Sequence, residues 1–169
     1  MSIYLLSGPP GAGKSTVATA LAQRSAFGIH IPMDDLREWV VAGAAHPENW
    51  TDETTRQFGL ARTVAAHAAT LYADAGFTVA VADVFGPDDV TAHFTDPRCR
   101  RVLLLPSLEM ALERNATRTN KSFDTAGIED LLRHAYAWLL QQDWSGWTVI
   151  DSTHLTLDET VAAILEKTS

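Results

Sequence analysis

Gly8-Pro9-Pro10-Gly11-Ala12-Gly13-Lys14-Ser15 fits the pattern G-x-x-x-x-G-K-[ST] in full, with Thr16 directly after it. Ahead of it stands Ile3-Tyr4-Leu5-Leu6, a short apolar run that reads as a strand buried on both faces. Behind it, Val17, Ala18 and Leu21 recur at helical spacing over Lys14 to Arg24. Strand, glycine loop and helix together are the setting in which this pattern holds phosphate. Gly8, Gly11 and Gly13 open turns denied to other residues, so that successive N–H groups face inward. The helix adds its positive end, Lys14 a mobile charge near the β and γ phosphates, and Ser15 a hydroxyl for Mg²⁺. The segment therefore points to a nucleoside triphosphate without saying what becomes of its terminal phosphate.

The rest of the chain repeats the alternation. Gly28-Ile29-His30-Ile31 reads as a second strand closed by Pro32, Phe77 to Val84 as a third, Arg101 to Leu105 as a fourth and Trp147 to Ile150 as a fifth. Helices are expected over Asp35 to Gly43, 53–75, about 87–94, from Leu108, about 126–142 and from near Thr156. Asp35 with Glu38, and Thr156 with Glu159, have the spacing of capping boxes. Strands alternating with helices predict an α/β fold, a parallel sheet covered on both faces. At 169 residues, with no internal repeat or linker, the chain is expected to be one domain, 1–169.

Charge and cysteine usage narrow the classes of function. Against 21 acidic residues stand 13 basic ones, a net charge of -8, which argues against a long basic track for nucleic acid. Cys99 is the single cysteine, so an intrachain disulfide and a cysteine metal cluster are excluded, and the six histidines show no metal-ligand spacing. No apolar stretch approaches the ~20 residues of a membrane helix, and Met1-Ser2-Ile3-Tyr4 lacks the basic start of a secretory signal. A cytoplasmic protein is the expectation.

Three groups bear on the fate of the phosphate. Asp34 follows the second strand, and sites in open α/β sheets gather at the carboxyl ends of strands. With Asp35 assigned to the capping box, the Asp34 carboxylate is left to orient an acceptor O–H and take its proton, or else to cap the helix itself. Arg114 and Arg118 share a helix face opposite Leu108 and Leu112, and with Lys121 they read as a lid at about 115–126 closing on the triphosphate. The alternative is a solvated basic face paired with Glu109 and Glu113. Asp83 ends the third strand, where a carboxylate either reaches Mg²⁺ through water or is satisfied by loop N–H groups.

Taken together, residues 8–16, Asp34-Asp35-Leu36-Arg37, Asp83 and Glu113-Arg114-Asn115-Ala116-Thr117-Arg118 resemble small P-loop kinases of an AAA-type, zeta-toxin-like group. These are related to nucleoside monophosphate, gluconate and shikimate kinases, and the nearest resemblance is to the kinase domain of bacteriophage-type polynucleotide 5′-hydroxyl kinase. The resemblance implies a three-layer α/β/α P-loop NTPase fold with strand order 2-3-1-4-5, and ATP with Mg²⁺ as cofactors. It implies a general base in Asp34, an acceptor-phosphate ligand in Arg37, a lid arginine on the donor in Arg118 with Arg114 as helper, and adenine contact around Ser152-Thr153-His154, at Thr153. Arg37 also reads as a plain surface residue.

The expected activity is transfer of the γ-phosphoryl group to a hydroxyl: a small metabolite, an antibiotic, a nucleotide sugar or a nucleic-acid 5′ end. Two other readings stand beside it. One is a nucleotide-binding switch or slow ATPase. The other is a nucleoside monophosphate kinase, which wants several arginines at the acceptor, where residues 34–62 offer Arg37, Arg56 and Arg62. Trp39 and Trp50 stack a base or sugar, or pack. Trp138, Trp144 and Trp147 are expected to fill the core, and Arg98, Arg100 and Arg101 to form a solvated strand entrance.

Overall fold

Period-two burial builds the sheet. In the computed structural model, which describes residues 1–116 and 125–169 (the backbone alone at 125–128), β1 (Ile3–Ser7) is buried along its whole length. Ile3 and Leu5 point to one core and Tyr4 and Leu6 to the other. Each core lies under its own layer of helices. Leu5 is fully buried, so Leu5→Ala is expected to cost about 2–5 kcal/mol.

Five parallel strands run β2-β3-β1-β4-β5, with β2 at Gly28–Pro32, β3 at Thr78–Ala82, β4 at Cys99–Leu104 and β5 at Thr148–Ile150. This is the order the resemblance implied. One face carries α1 (Lys14–Gln23) and α7 (Leu157–Lys167), through Val17, Ala18, Leu21, Val161 and Ile164. The other carries α3 (Asp52–Asp74), α4 (Pro87–His93) and α6 (Thr125–Leu140), through Ala61, Ala65, Ala69, Val90 and Leu139. Short α2 (Met33–Glu38) follows β2, and α5 (Leu108–Ala116) follows β4. No helix among the described residues is long and apolar enough to cross a membrane.

Several boundaries differ from the sequence reading for identifiable reasons. β4 begins at Cys99, because Cys99 and Arg100 register with Ile3 and Tyr4 of β1. The helix expected over Asp35 to Gly43 begins instead at Met33 and ends at Glu38, with Pro32 as its N-cap and no side-chain cap. The Asp35–Glu38 capping box therefore does not form, and Asp34 and Asp35 both lie in the first turn. The second expected box does form: Thr156 Oγ1 accepts from Glu159 N at 3.3 Å, and Glu159 Oε2 accepts from Thr156 N at 2.8 Å. Trp144 and Trp147 pack edge to face at 4.8 Å. Trp138, by contrast, is 39% exposed, with its ring edge against Gly86.

Candidate active site

β1 runs straight into the glycine loop. Gly8, Gly11 and Gly13 have φ of 150°, 82° and 84°. A Cβ on Gly8 would stand 2.3 Å from Leu104 O, and one on Gly11 2.2 Å from Ala111 O. The loop is thus wedged against the end of β4 and against α5, and only glycine fits at those two positions. Ala12 N donates to Pro9 O at 3.1 Å, closing the turn. Gly13 caps α1 with no side-chain hydrogen bond, and the first turn of α1 holds no acidic residue. Its N–H groups are therefore offered to an anion. Lys14 Nζ curls back over the loop, donating to Gly8 O at 2.8 Å and Pro9 O at 2.9 Å. Ser15 and Thr16 are exposed at the mouth. A cradle that a Cβ would fill, an uncapped helix start and a lysine folded into it fit a triphosphate. Ser15 would hold its Mg²⁺.

The flank made by β2 and β3 carries the acids. Asp34, its side chain 68% exposed, accepts from Arg37 Nη1 at 3.0 Å. Arg37 Nη2 lies 2.5 Å from each carboxylate oxygen of Asp83. Asp83, only 6% exposed in its side chain, donates from its backbone N to Leu6 O at 3.1 Å. The acid pair is thereby fixed to the strand that ends in the phosphate loop. The Asp34 carboxylate, left without a partner in the sequence reading, is instead paired with Arg37. Asp83, expected near the metal, holds arginine.

Arg62, which the sequence offered only as one of three arginines near the acceptor, and Asp89, which it did not single out, complete this flank. Arg62 of α3 sets its Nε 3.7 Å from Asp83 Oδ2 and its Nη1 2.5 Å from Asp89 Oδ1. Asp89 Oδ2 in turn accepts from Gly86 N at 2.8 Å. Arg37 stacks its guanidinium 4.1 Å above the Phe58 ring. The buried Ser7 hydroxyl donates to Phe85 O at 2.7 Å and accepts from Phe85 N at 3.1 Å, tying the ends of β1 and β3. The Nε atoms of Arg37 and Arg62 are buried without a hydrogen-bond partner among the described residues. Arg62 was legible in principle: it sits on the α3 stripe of Phe58, Ala61, Ala65 and Ala69, and a charge there needs a buried acid.

The β4–β5 flank holds the remaining expected residues. Arg114 Nη2 donates to Ser152 O at 2.9 Å. Thr153 Oγ1 accepts from Ser107 N at 2.8 Å and donates to Asp151 Oδ1 at 2.5 Å. The hydrogen bonds from Thr153 Oγ1 and Thr153 N hold the Asp151 carboxyl below the usual carboxylate range. Arg118 and Lys121, with most of the expected lid, lie outside the described residues. Among the described residues no group of three or more His, Cys, Asp or Glu could hold a metal. A cavity of about 500 Å³ lies around Cys99, Arg100 and Arg101, at the amino end of β4 and away from the loop.

The AAA domain family matches residues 3–139, from β1 through most of α6. The chain belongs to that family. Among curated proteins nothing matches the sequence of this AAA domain. Solved structures match over nearly its whole length. A sugar kinase from Janibacter sp. HTCC2649 is 17% identical, with 98% of this chain and 93% of that one covered, at a TM-score of 0.73. A gluconokinase from Sinorhizobium meliloti 1021 is 16% identical, with 99% and 93% covered, at 0.64. A shikimate kinase from Bacteroides thetaiotaomicron is 16% identical, with 98% and 96% covered, at 0.66. At this identity the likenesses show the fold, which is that of P-loop kinases. They do not show the finer relationship to polynucleotide 5′-hydroxyl kinase.

Proposed function

We propose that this AAA domain transfers the γ-phosphoryl group of ATP, with Mg²⁺, to a hydroxyl on a small molecule or a nucleic-acid 5′ end. The observation that carries the reading is the link from Asp34 through Arg37 to Asp83, and from Asp83 N to Leu6 of the strand that enters the glycine loop. An exposed carboxylate held in register with a phosphate cradle suits a hydroxyl acceptor, because it orients the O–H and takes its proton as the oxygen bonds to phosphorus. The neighbours named as sugar, gluconate and shikimate kinases support the same class.

When bound, ATP supplies the phosphoryl group and Mg²⁺ neutralises charge on its β and γ oxygens. The loop amides, with Gly8, Gly11, Ala12 and Gly13 shaping the turn and Thr16 at the helix start, grip the phosphate tail. Lys14 follows the charge as the bond to the leaving oxygen lengthens. Ser15 would hold the metal, while Asp83, the acid the sequence offered for a contact through water, is turned to Arg37. Arg114 and Thr153 shape the base side of the cleft, and the cytoplasm, where ATP is abundant, is the proposed compartment. The sequence adds Arg118 as the lid arginine, a role worth about 10³–10⁵ in rate in related chemistry.

A screen with γ-labelled ATP against nucleosides, oligonucleotide 5′ ends, sugars and aminoglycosides tests the proposal. Labelled product that depends on acceptor is expected. Transfer to none of them, with steady release of free phosphate, would replace it with a nucleotide-binding switch or slow ATPase.

A further inference from the structure

Among the described residues, Arg100, Arg101 and Lys167 have neither a hydrogen bond nor an ion pair, while every other lysine and arginine bonds an acid or a main-chain carbonyl. All three line one cavity, the space of about 500 Å³ at the amino end of β4. The register of the sheet opens it. β1 pairs with Cys99 to Leu103 of β4, but short β5 pairs with Val102 to Leu104 alone. Cys99, Arg100 and Arg101 therefore run on past β5, with no strand among the described residues on that edge. Gly146 and Thr148, at the entry to β5, and Lys167 to Ser169, at the end of α7, wall the resulting notch.

Little in the lining neutralises these cations. Asp96 is its one acidic side chain, and it already accepts from Arg98 Nε at 2.9 Å and Nη2 at 2.6 Å. Burial pushes the Cys99 thiol up to about 11, with Asp96 adding to the shift and Arg101 and Arg98 opposing it. At neutral pH the thiol is thus an uncharged wall. Even with a carboxylate at Ser169 counted against it, the lining stays positive, in a chain of net charge -8.

We infer that this notch binds a small multivalent oxyanion, one that carries phosphate or carboxylate groups. Arg100 and Arg101 bring planar guanidinium groups, which match such oxygens in paired hydrogen bonds, and Lys167 adds a point charge. The space suits a small molecule, since ligand cavities run to about 300–1,000 Å³. Cys99 opens β4 at the notch, whereas Leu104 closes the strand against Gly8 of the phosphate loop. The anion is therefore a second ligand, apart from the nucleotide, and the inference stands independently of the phosphotransfer reading.

The test titrates pyrophosphate, and separately citrate, into the isotopically labelled full chain without nucleotide or Mg²⁺, followed by amide NMR. Gly146, Thr148 and Thr168 report the notch, and Gly11 and Lys14 report the loop. Saturating shifts are expected at the notch, with a Kd below about 1 mM. Arg100→Gln combined with Arg101→Gln is expected to weaken that binding by about tenfold or more, while pyrophosphate at the loop is unaffected. Lys167→Gln, on a different element, should weaken it in the same sense. Saturation by pyrophosphate alone identifies a phosphate ligand, by citrate alone a polycarboxylate, and by both a site for either oxyanion. Notch shifts that stay linear to about 10 mM, or that survive the double substitution, would mean ordinary solvated charges and overturn the inference.

Discussion

Arg37 grips both carboxylate oxygens of Asp83 with one nitrogen, Nη2 lying 2.5 Å from Oδ1 and from Oδ2. The pair is largely dry, with side chains 19% and 6% exposed. Removing one member of such a pair strands the other charge, which costs about 3–5 kcal/mol in buried cases. Asp83→Ala leaves Arg37 with the exposed Asp34 and loosens Arg62 as well. Its urea unfolding free energy is expected to fall by that amount, and a loss below about 1 kcal/mol, the range of surface pairs, would show the cluster to be slack.

The glycine loop gives a second expectation. Gly11→Ala places a Cβ 2.2 Å from Ala111 O at a φ of 82°. Either the loop or α5 must move, and both shape the nucleotide cleft. Binding of a fluorescent ATP analogue is expected to weaken at least tenfold, a cost of about 1.4 kcal/mol, with far-UV circular dichroism unchanged. Retained affinity would mean that the cradle tolerates the shift.

Lys14 behaves differently, because its ammonium bonds to Gly8 O and Pro9 O of its own loop. Lys14→Ala should leave thermal stability close to that of the parent. Turnover should drop by about 10²–10³-fold, the scale for removing a donor that stabilises transition-state charge. A large loss of melting temperature with modest loss of turnover would assign the lysine to the fold instead.

His30 supplies a pH dependence. Burial holds its imidazole below the ordinary value near 6.5, with Asp35 opposing the shift in part. Its Nδ1 meets Thr19 Oγ1 at 3.1 Å, and its Nε2 is buried without a hydrogen-bond partner among the described residues. As pH falls below about 6.5 the unfolded chain takes up a proton that the folded chain refuses, so stability falls with it. Urea midpoints at pH 7.5 and 5.5 should show that fall, and His30→Gln should lessen it. An equal fall in the variant would place the dependence elsewhere.

Sequence and structure agree where the information is local. The glycine pattern, the buried strand before it and the Thr156–Glu159 cap are decided by residues a few positions apart, and all three form. Strand order is not local: periodicity yields parallel strands, and the order came only with the family resemblance. The Asp35–Glu38 box failed because Pro32, at φ -77° and ψ 121°, delivers the chain into a helix at Met33, two residues early. Arg62 and Asp89 lie 27 residues apart, and their contact, 2.5 Å between Nη1 and Oδ1, exists only because α3 and α4 cover the same sheet face. A lone arginine on an alanine stripe was the one local sign of it. Trp138 was expected in the core on hydrophobicity alone, yet the bare backbone of Gly86 gives its ring a place at the surface.

The role of Asp34 is the centre of the account, and Asp34→Asn tests it most directly. The variant keeps an oxygen for Arg37 but loses the basicity that takes a proton. With an acceptor identified by the label screen, ATP affinity should stay within about twofold, a change of about 0.4 kcal/mol, while transfer falls by about 10²–10⁴-fold. Transfer at the parent rate, with ATP bound equally well, would contradict the assignment of Asp34 and with it the proposed chemistry.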